Sequence, residues 1–246
     1  MRLDGVLGLL APMQCCGCSA PLAPCDDASS ISTTRASPRR LPERFCVRCE
    51  TALGLDPPGA AERRVRRVAW PVHAPLRYDG AGEAWLRRIK YPRSGLGGLD
   101  AEARGLVDAL ARGVASDLPP VDVVVPVPLH HSALLRRETN AAWLWARALS
   151  RATGAPLLSR ALRKRRITRP QKGLGVAERR ANVRGAFFVV PRRTPELLRS
   201  RCVLLADDVV TTGATLEACV DALQGAGVRG AGVAACIART PSNLED

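Results

Sequence analysis

The sequence predicts an α/β protein, a parallel sheet flanked by helices, preceded by a small cysteine-rich module. Three observations carry this. From about residue 68 onward, short apolar runs alternate with stretches of helical period, the pattern of parallel strands joined by right-handed crossovers. One run, Val203 to Ala206, delivers two adjacent acids, Asp207 and Asp208, and then a Thr/Gly segment that opens a helix. Six of the nine cysteines, Cys15, Cys16, Cys18, Cys25, Cys46 and Cys49, crowd the N-terminal end.

Taken in order, the cysteine module comes first and spans residues 1–55. Cys15 and Cys18 form one C-x2-C knuckle and Cys46 and Cys49 a second. Such a knuckle aims two thiolates at one point, and two knuckles complete a tetrahedral Zn2+ site of structural type, with no open position. The alternative is a disulfide pair or bare thiols, and the weakness of any export signal favours zinc. Cys16 and Cys25 are either spare or one of them exchanges into the set. The segment from Asp26 to Pro42, rich in Ser, Thr, Pro and Arg, reads as an insert between the knuckles. Loop closure tolerates such length at little cost. A Pro/Gly stretch, Asp56 to Ala60, then reads as a linker.

The α/β body is expected over residues 68–240. Trp70 to Tyr78 suits a strand, and Ala81 to Tyr91 and Leu99 to Val114 suit helices. Val121 to Val127 is a β-branched run closed by Pro126 and Pro128, as in a buried strand that stops abruptly. Ser132 to Thr153 is helical in period, and Arg201 to Ala206 is another buried strand. Thr215 to Gly225 places Leu216, Cys219, Val220 and Leu223 on one helical face. Ala231 to Ala238 closes the sheet. Cys202, Cys219 and Cys236 fall in apolar segments and read as small core residues.

Composition narrows the function. The 246 residues are 46% apolar but only 4% aromatic, so Ala, Val and Leu must build the core. That is too apolar for a disordered chain. No apolar run approaches the ~20 residues of a membrane span, and no period of a solenoid repeat recurs. Arg2 ahead of the apolar Val6 to Met13 faintly suggests a secretory signal, but Asp4 interrupts it and no clean cleavage site follows. A cytoplasmic location is therefore expected. The net charge of +14 is concentrated: residues 111–200 carry 18 bases against five acids, whereas residues 201–246 carry three against six. Between Arg160 and Arg184 lie ten bases and one acid, Glu178. This run is either a solvated face or a site for phosphate, pyrophosphate or nucleic acid.

The segment Asp207-Asp208-Val209-Val210-Thr211-Thr212-Gly213-Ala214-Thr215 carries the most chemistry. The N–H groups of a helix start, with the Thr hydroxyls, make a phosphate cradle. Gly213 lets backbone approach an anion closely. The two carboxylates can accept hydrogen bonds from neighbouring hydroxyls, as on a ribose. A sugar phosphate fits both halves. The bland alternative is an ordinary helix start after a strand, with the acids exposed.

This segment resembles the phosphoribosyl pyrophosphate (PRPP) signature of type I phosphoribosyltransferases. Ala206 is smaller than the Val or Ile usual there. The resemblance implies that Asp207 and Asp208 hold the ribose hydroxyls as the catalytic pair. It further implies that Thr211, Thr212, Gly213, Ala214 and Thr215 hold the 5′-phosphate. Two further matches narrow it. The zinc knuckles ahead of such a domain resemble the ComF family of competence proteins. So does the run from Thr168 through Gln171, Lys172 and Leu174 to Glu178, Arg179, Asn182, Val183, Ala186 and Phe187. ComF-like proteins are implicated in natural transformation, in which single-stranded DNA enters the cytoplasm.

The resemblance also implies a pyrophosphate loop and a mobile loop over PRPP, to which His130, Arg137, Asn140, Arg166, Gln171, Lys172 and Arg179 belong. After Pro126-Val127-Pro128-Leu129-His130 the family carries R-G-F-N-Q, whereas this chain has Arg137-Glu138-Thr139-Asn140-Ala141. Glu138 in place of Gly sets a carboxylate near a polyanion and restricts close backbone approach. The implied reaction displaces pyrophosphate from C1 of PRPP by a nitrogen nucleophile, with Mg2+ bridging pyrophosphate and ribose oxygens. Three functions follow as expectations. The first is a ComF-type PRPP-binding protein of DNA uptake. The second is a purine or pyrimidine salvage phosphoribosyltransferase. The third is a non-catalytic PRPP sensor that holds single-stranded DNA along its basic segment, with uptake proteins as partners. Phe187 and Phe188 are the aromatics nearest that segment for base stacking.

Overall fold

A computed structural model describes residues 62–63, 68–91, 101–129, 140–166, 168, 175–191, 198–199 and 201–240. The two cysteine knuckles, the linker, His130, Arg137, Gln171 and Lys172 lie outside them. The chain order is β1 (Glu62–Arg63), β2 (Val72–His73), β3 (Leu76–Arg77), α1 (Gly80–Lys90), α2 (Ala101–Ala115) and β4 (Val123–Pro126). It continues with α3 (Ala141–Thr153), β5 (Leu162–Lys164), α4 (Val176–Val183) and β6 (Phe187–Val189), then β7 (Val203–Val210), α5 (Ala214–Gly225) and β8 (Gly232–Arg239).

The main sheet runs β1-β2-β8-β7-β4, with β3 also on β8. All its pairings are parallel except β1 on β2. The fold is thus mixed α/β with a mostly parallel central sheet flanked by helices, consistent with a type I phosphoribosyltransferase-like fold. The expected strand at Trp70 to Tyr78 is split. Val72 and His73 pair with Ala234 and Ala235, and Leu76 and Arg77 with Ala238 and Arg239. Pro75 lies between and has no N–H to give a ladder.

The sheet is buried on both faces, which is why its strands read as continuous apolar runs. Along β7 the side chains alternate between two cores. Leu204 and Ala206 face α1, α2 and α3, among Leu86, Ile89, Leu106, Trp145 and Leu149. Val203 and Leu205 face α5 and the β5–β6 hairpin, among Leu162, Phe187, Leu216 and Val220. Each such Val, Leu, Ile or Phe side chain contributes about 1.5–3 kcal/mol on burial. Trp145 also donates its indole N–H to the carbonyl of Ala235 on β8 at 3.0 Å, locking α3 to the sheet centre. Trp70 packs so tightly over Gly232 that a Cβ there would lie 2.2 Å from the indole.

Two boundaries differ from the sequence expectation. The helix expected over Ser132 to Thr153 does not run through Asn140, which is extended (φ −103°, ψ 99°) with its side chain accepting from the Trp143 N–H, so α3 begins at Ala141; residues 130–139 lie outside the described residues. An Asn that caps a helix competes with the backbone and so starts the helix after itself. The strand expected to end at Ala206 runs on to Val210. Asp is a poor strand former, but the ladder to β8 continues through Asp207↔Cys236, Val209↔Ala238 and Val210↔Arg239 and overrides that preference. Cys219 and Cys236 are core residues as expected, both fully buried, whereas Cys202 is half-buried.

Candidate functional site

Because β4, β7 and β8 are parallel, their carboxyl ends align at one edge of the sheet, where ligands of such folds bind. The acidic pair is carried inside β7 rather than beyond it. Consecutive residues of a strand point to opposite faces, and the two acids part in this way. Asp207 lies toward the layer of α5 and β5, near Cys219 and Lys164. Asp208 lies toward α1, where the Lys90 ammonium sits 2.8 Å from its Oδ2.

The two carboxyls differ in setting. Asp207 is only 9% exposed. Burial pushes its carboxyl up to about 8, and the charge of Asp208 adds to this. The Asp208 N–H, which donates to Asp207 Oδ1 at 2.8 Å, acts in the opposite sense, as do Lys90 and Lys164. Burial likewise pushes the Cys219 and Cys236 thiols up, with Asp207 contributing to both. These are inert thiols, since the thiolate is the reactive form.

Past β7 the chain bends through Thr211 and Thr212 and reaches Gly213 at φ 75°, a left-handed backbone that disfavours any side chain. α5 starts directly after it, with no side-chain cap. Its first intrahelical bond is Glu217 N–H to Gly213 O at 2.8 Å. N–H groups ahead of Glu217 precede the helical ladder, the arrangement in which a helix start receives an anion. The Thr212 hydroxyl lies 3.5 Å from the Ala214 N, at the limit of a hydrogen bond. The structure thus brings together Asp207, Asp208 and Thr211 to Thr215 at one strand–helix junction.

The basic segment forms an arm. β5 and β6 pair antiparallel as a separate two-stranded sheet, Leu162↔Val189 and Lys164↔Phe187. The chain between them includes α4. Glu178, the lone acid of the run, accepts from the Gly175 N–H at 2.7 Å and so fastens the start of α4. Arg166 donates to the Arg184 carbonyl at 2.9 Å across the base of the arm. Arg180 of α4 pairs with Glu217, in the first turn of α5, at 3.2 Å. Arg179 is half-buried on the same helix. The aromatics of the arm are already engaged: the Lys164 ammonium stands 5.4 Å from the Phe187 ring and the Arg165 guanidinium 5.1 Å from Phe188. Phe187 is 4% exposed.

Sequence reasoning missed Lys90 and Lys164. A signal existed: Arg outnumbers Lys so heavily that only three of the 37 bases are Lys, at 90, 164 and 172. The two described lysines both stand at the acidic pair. Among the described residues no cluster of His, Cys, Asp and Glu is arranged to hold a metal ion, and no helix is long and apolar enough to cross a membrane.

The fold is mixed α/β, consistent with a type I phosphoribosyltransferase-like one, with the acidic pair and a glycine-led helix start at the carboxyl edge of its sheet. No protein-family model matches the chain. Among curated proteins it is similar to Competence protein F of Haemophilus influenzae, 36% identical over 96 residues, which cover 39% of this chain and 41% of that protein. The match therefore spans about two fifths of that relative's length.

Proposed function

We propose that the chain is a ComF-type protein of DNA uptake that binds PRPP at the β7–α5 junction. One observation carries the reading: an acidic pair in β7 is followed within one bend by a helix that starts on a left-handed glycine. In this reading Asp208 and Asp207 hold the ribose diol. Thr211, Thr212, Gly213, Ala214 and Thr215 take the 5′-phosphate, and the charge of the diphosphate would be offset by Mg2+ bound to it. The relative's name, Competence protein F, supports the competence assignment. Calorimetry with PRPP and Mg2+ tests it. The Asp207→Ala, Asp208→Ala double variant should lose binding altogether, and undiminished affinity in that variant would overturn the reading. Pyrophosphate release measured across nucleobases then separates a transferase, including a salvage enzyme, from a binder. Arg137, His130, Gln171 and Lys172, with Arg166 and Arg179 of the arm, belong to the pyrophosphate side of this proposal. Asn140 enters it only as the cap of α3.

Zn2+ belongs to the proposal as the structural ion of Cys15, Cys18, Cys46 and Cys49. Four thiolates in two C-x2-C pairs are the donor chemistry of a closed zinc site. Metal analysis should find about one zinc per chain and its loss in Cys18→Ser.

The arm favours a second reading, single-stranded DNA binding. Arg163, Arg165 and Arg166 are exposed on it. Backbone contacts of this kind weaken steeply with salt. Because Phe187 is buried and Arg165 stands over Phe188, the contribution of base stacking is small, so charge should dominate. A flat salt response, or binding unchanged by Arg165→Glu with Arg166→Glu, excludes it.

A further inference from the structure

We propose that Lys90 is a positioning residue of the β7–α5 site, which pins the Asp208 carboxylate from the α1 layer and offsets its charge, so that a ligand meets an acidic pair already oriented. This rests on the reading of the pair as the ligand-holding acids. The geometry is specific. Lys90 is the last residue of α1, next to the fully buried Ile89, and its Nζ lies 2.8 Å from Asp208 Oδ2. The two side chains are 16% and 18% exposed, far drier than the surface pairs Arg77–Asp79 or Arg87–Glu83. An ion pair removed from water in this way is directional, and loss of one partner strands the other.

Every layer around the pair contributes. Lys90 comes from α1 and Lys164 from β5. Cys236 of β8 and Cys219 of α5 face the acids as neutral thiols. Among the described residues, Asp207 therefore feels one lysine from each side of the sheet. The residue type matters as well. In a chain where only three of 37 bases are Lys, two of them stand here. An ammonium is a compact point charge, whereas a guanidinium is a longer planar fork that suits bidentate partners. Arg at position 90 would overshoot Asp208 and push its carboxylate out of line.

The test compares wild type with Lys90→Met, Lys90→Gln and Lys90→Arg in two measurements. In the ligand-free protein, carboxyl-carbon NMR follows the Asp207 titration, whose midpoint of about 8 should rise in Lys90→Met and Lys90→Gln, because a cation that favours its ionised form is gone. Calorimetry with PRPP and Mg2+ should show an affinity loss of about ten-fold or more in both, only partly restored in Lys90→Arg. A lysine that did not act on the acidic pair electrostatically would not move the Asp207 midpoint. Gln keeps a neutral donor, one bond shorter than Lys, so it serves if Met does not fold. An unmoved midpoint with wild-type affinity overturns the inference. If wild type binds no PRPP but the midpoint still moves, the role of Lys90 at the pair stands and PRPP as the ligand falls.

Discussion

Replacing Asp207 with Asn should flatten the pH dependence of stability. The native carboxyl is pushed up to about 8, from an ordinary value of 3.8, mainly by burial. The unfolded chain releases this proton near pH 4 and the native chain only near pH 8. Between those limits the native state holds one proton more, so stability falls as pH rises, by at most about 1.4 kcal/mol per unit. From pH 5 to pH 7 wild type should therefore lose about 2–3 kcal/mol that the variant keeps. Asn retains a carbonyl oxygen to accept the Asp208 N–H bonded at 2.8 Å, so the backbone there is preserved. Urea unfolding at half-unit pH steps, read as the difference between the two proteins, cancels the other titrating groups. Equal slopes in the two proteins would refute the burial argument.

Other perturbations probe the rest of the frame. Trp145→Phe removes the indole bond to Ala235 and part of a fully buried side chain, and should cost about 2–4 kcal/mol in denaturant titration. Gly213→Val places a branched side chain at φ 75° and should cost about 1–3 kcal/mol while weakening PRPP binding. Unchanged stability would mean that the left-handed turn is not required. Arg180→Ala cuts the tie between α4 and Glu217 and should speed amide exchange in α4 with less than about 1 kcal/mol of global change.

Much of the fold was legible because burial writes itself into the chain. The β-branched run at Val123 to Val125 and the apolar Val203 to Leu205 could only be strands buried on both faces, and they are. The period of Leu216, Cys219, Val220 and Leu223 placed α5 to within one residue. Local chemistry competed with period at Asn140, whose capping side chain starts α3 at Ala141, inside the stretch that the period marked as helical. The candidate site was legible in part. Adjacent acids followed by Thr, Gly and Thr announce their chemistry in one stretch. Lys90 could not be read in this way, since its partner is brought to it by the packing of α1 on the sheet. Nor could the parting of the two acids, which depends on whether the strand ends before them or carries them.

Since β7 separates two cores, its neighbouring acids are where those cores exchange electrostatic information. Lys90 belongs to one side and Lys164 to the other, yet both act on Asp207. Changes made on opposite sides of the sheet should therefore fail to add. In a double-mutant cycle of Lys90→Met with Lys164→Met, the coupling should exceed about 0.5 kcal/mol, more than distant independent sites show. On that outcome, the partition that divides the interior is also where charge from α1 and charge from the basic arm meet, at Asp207.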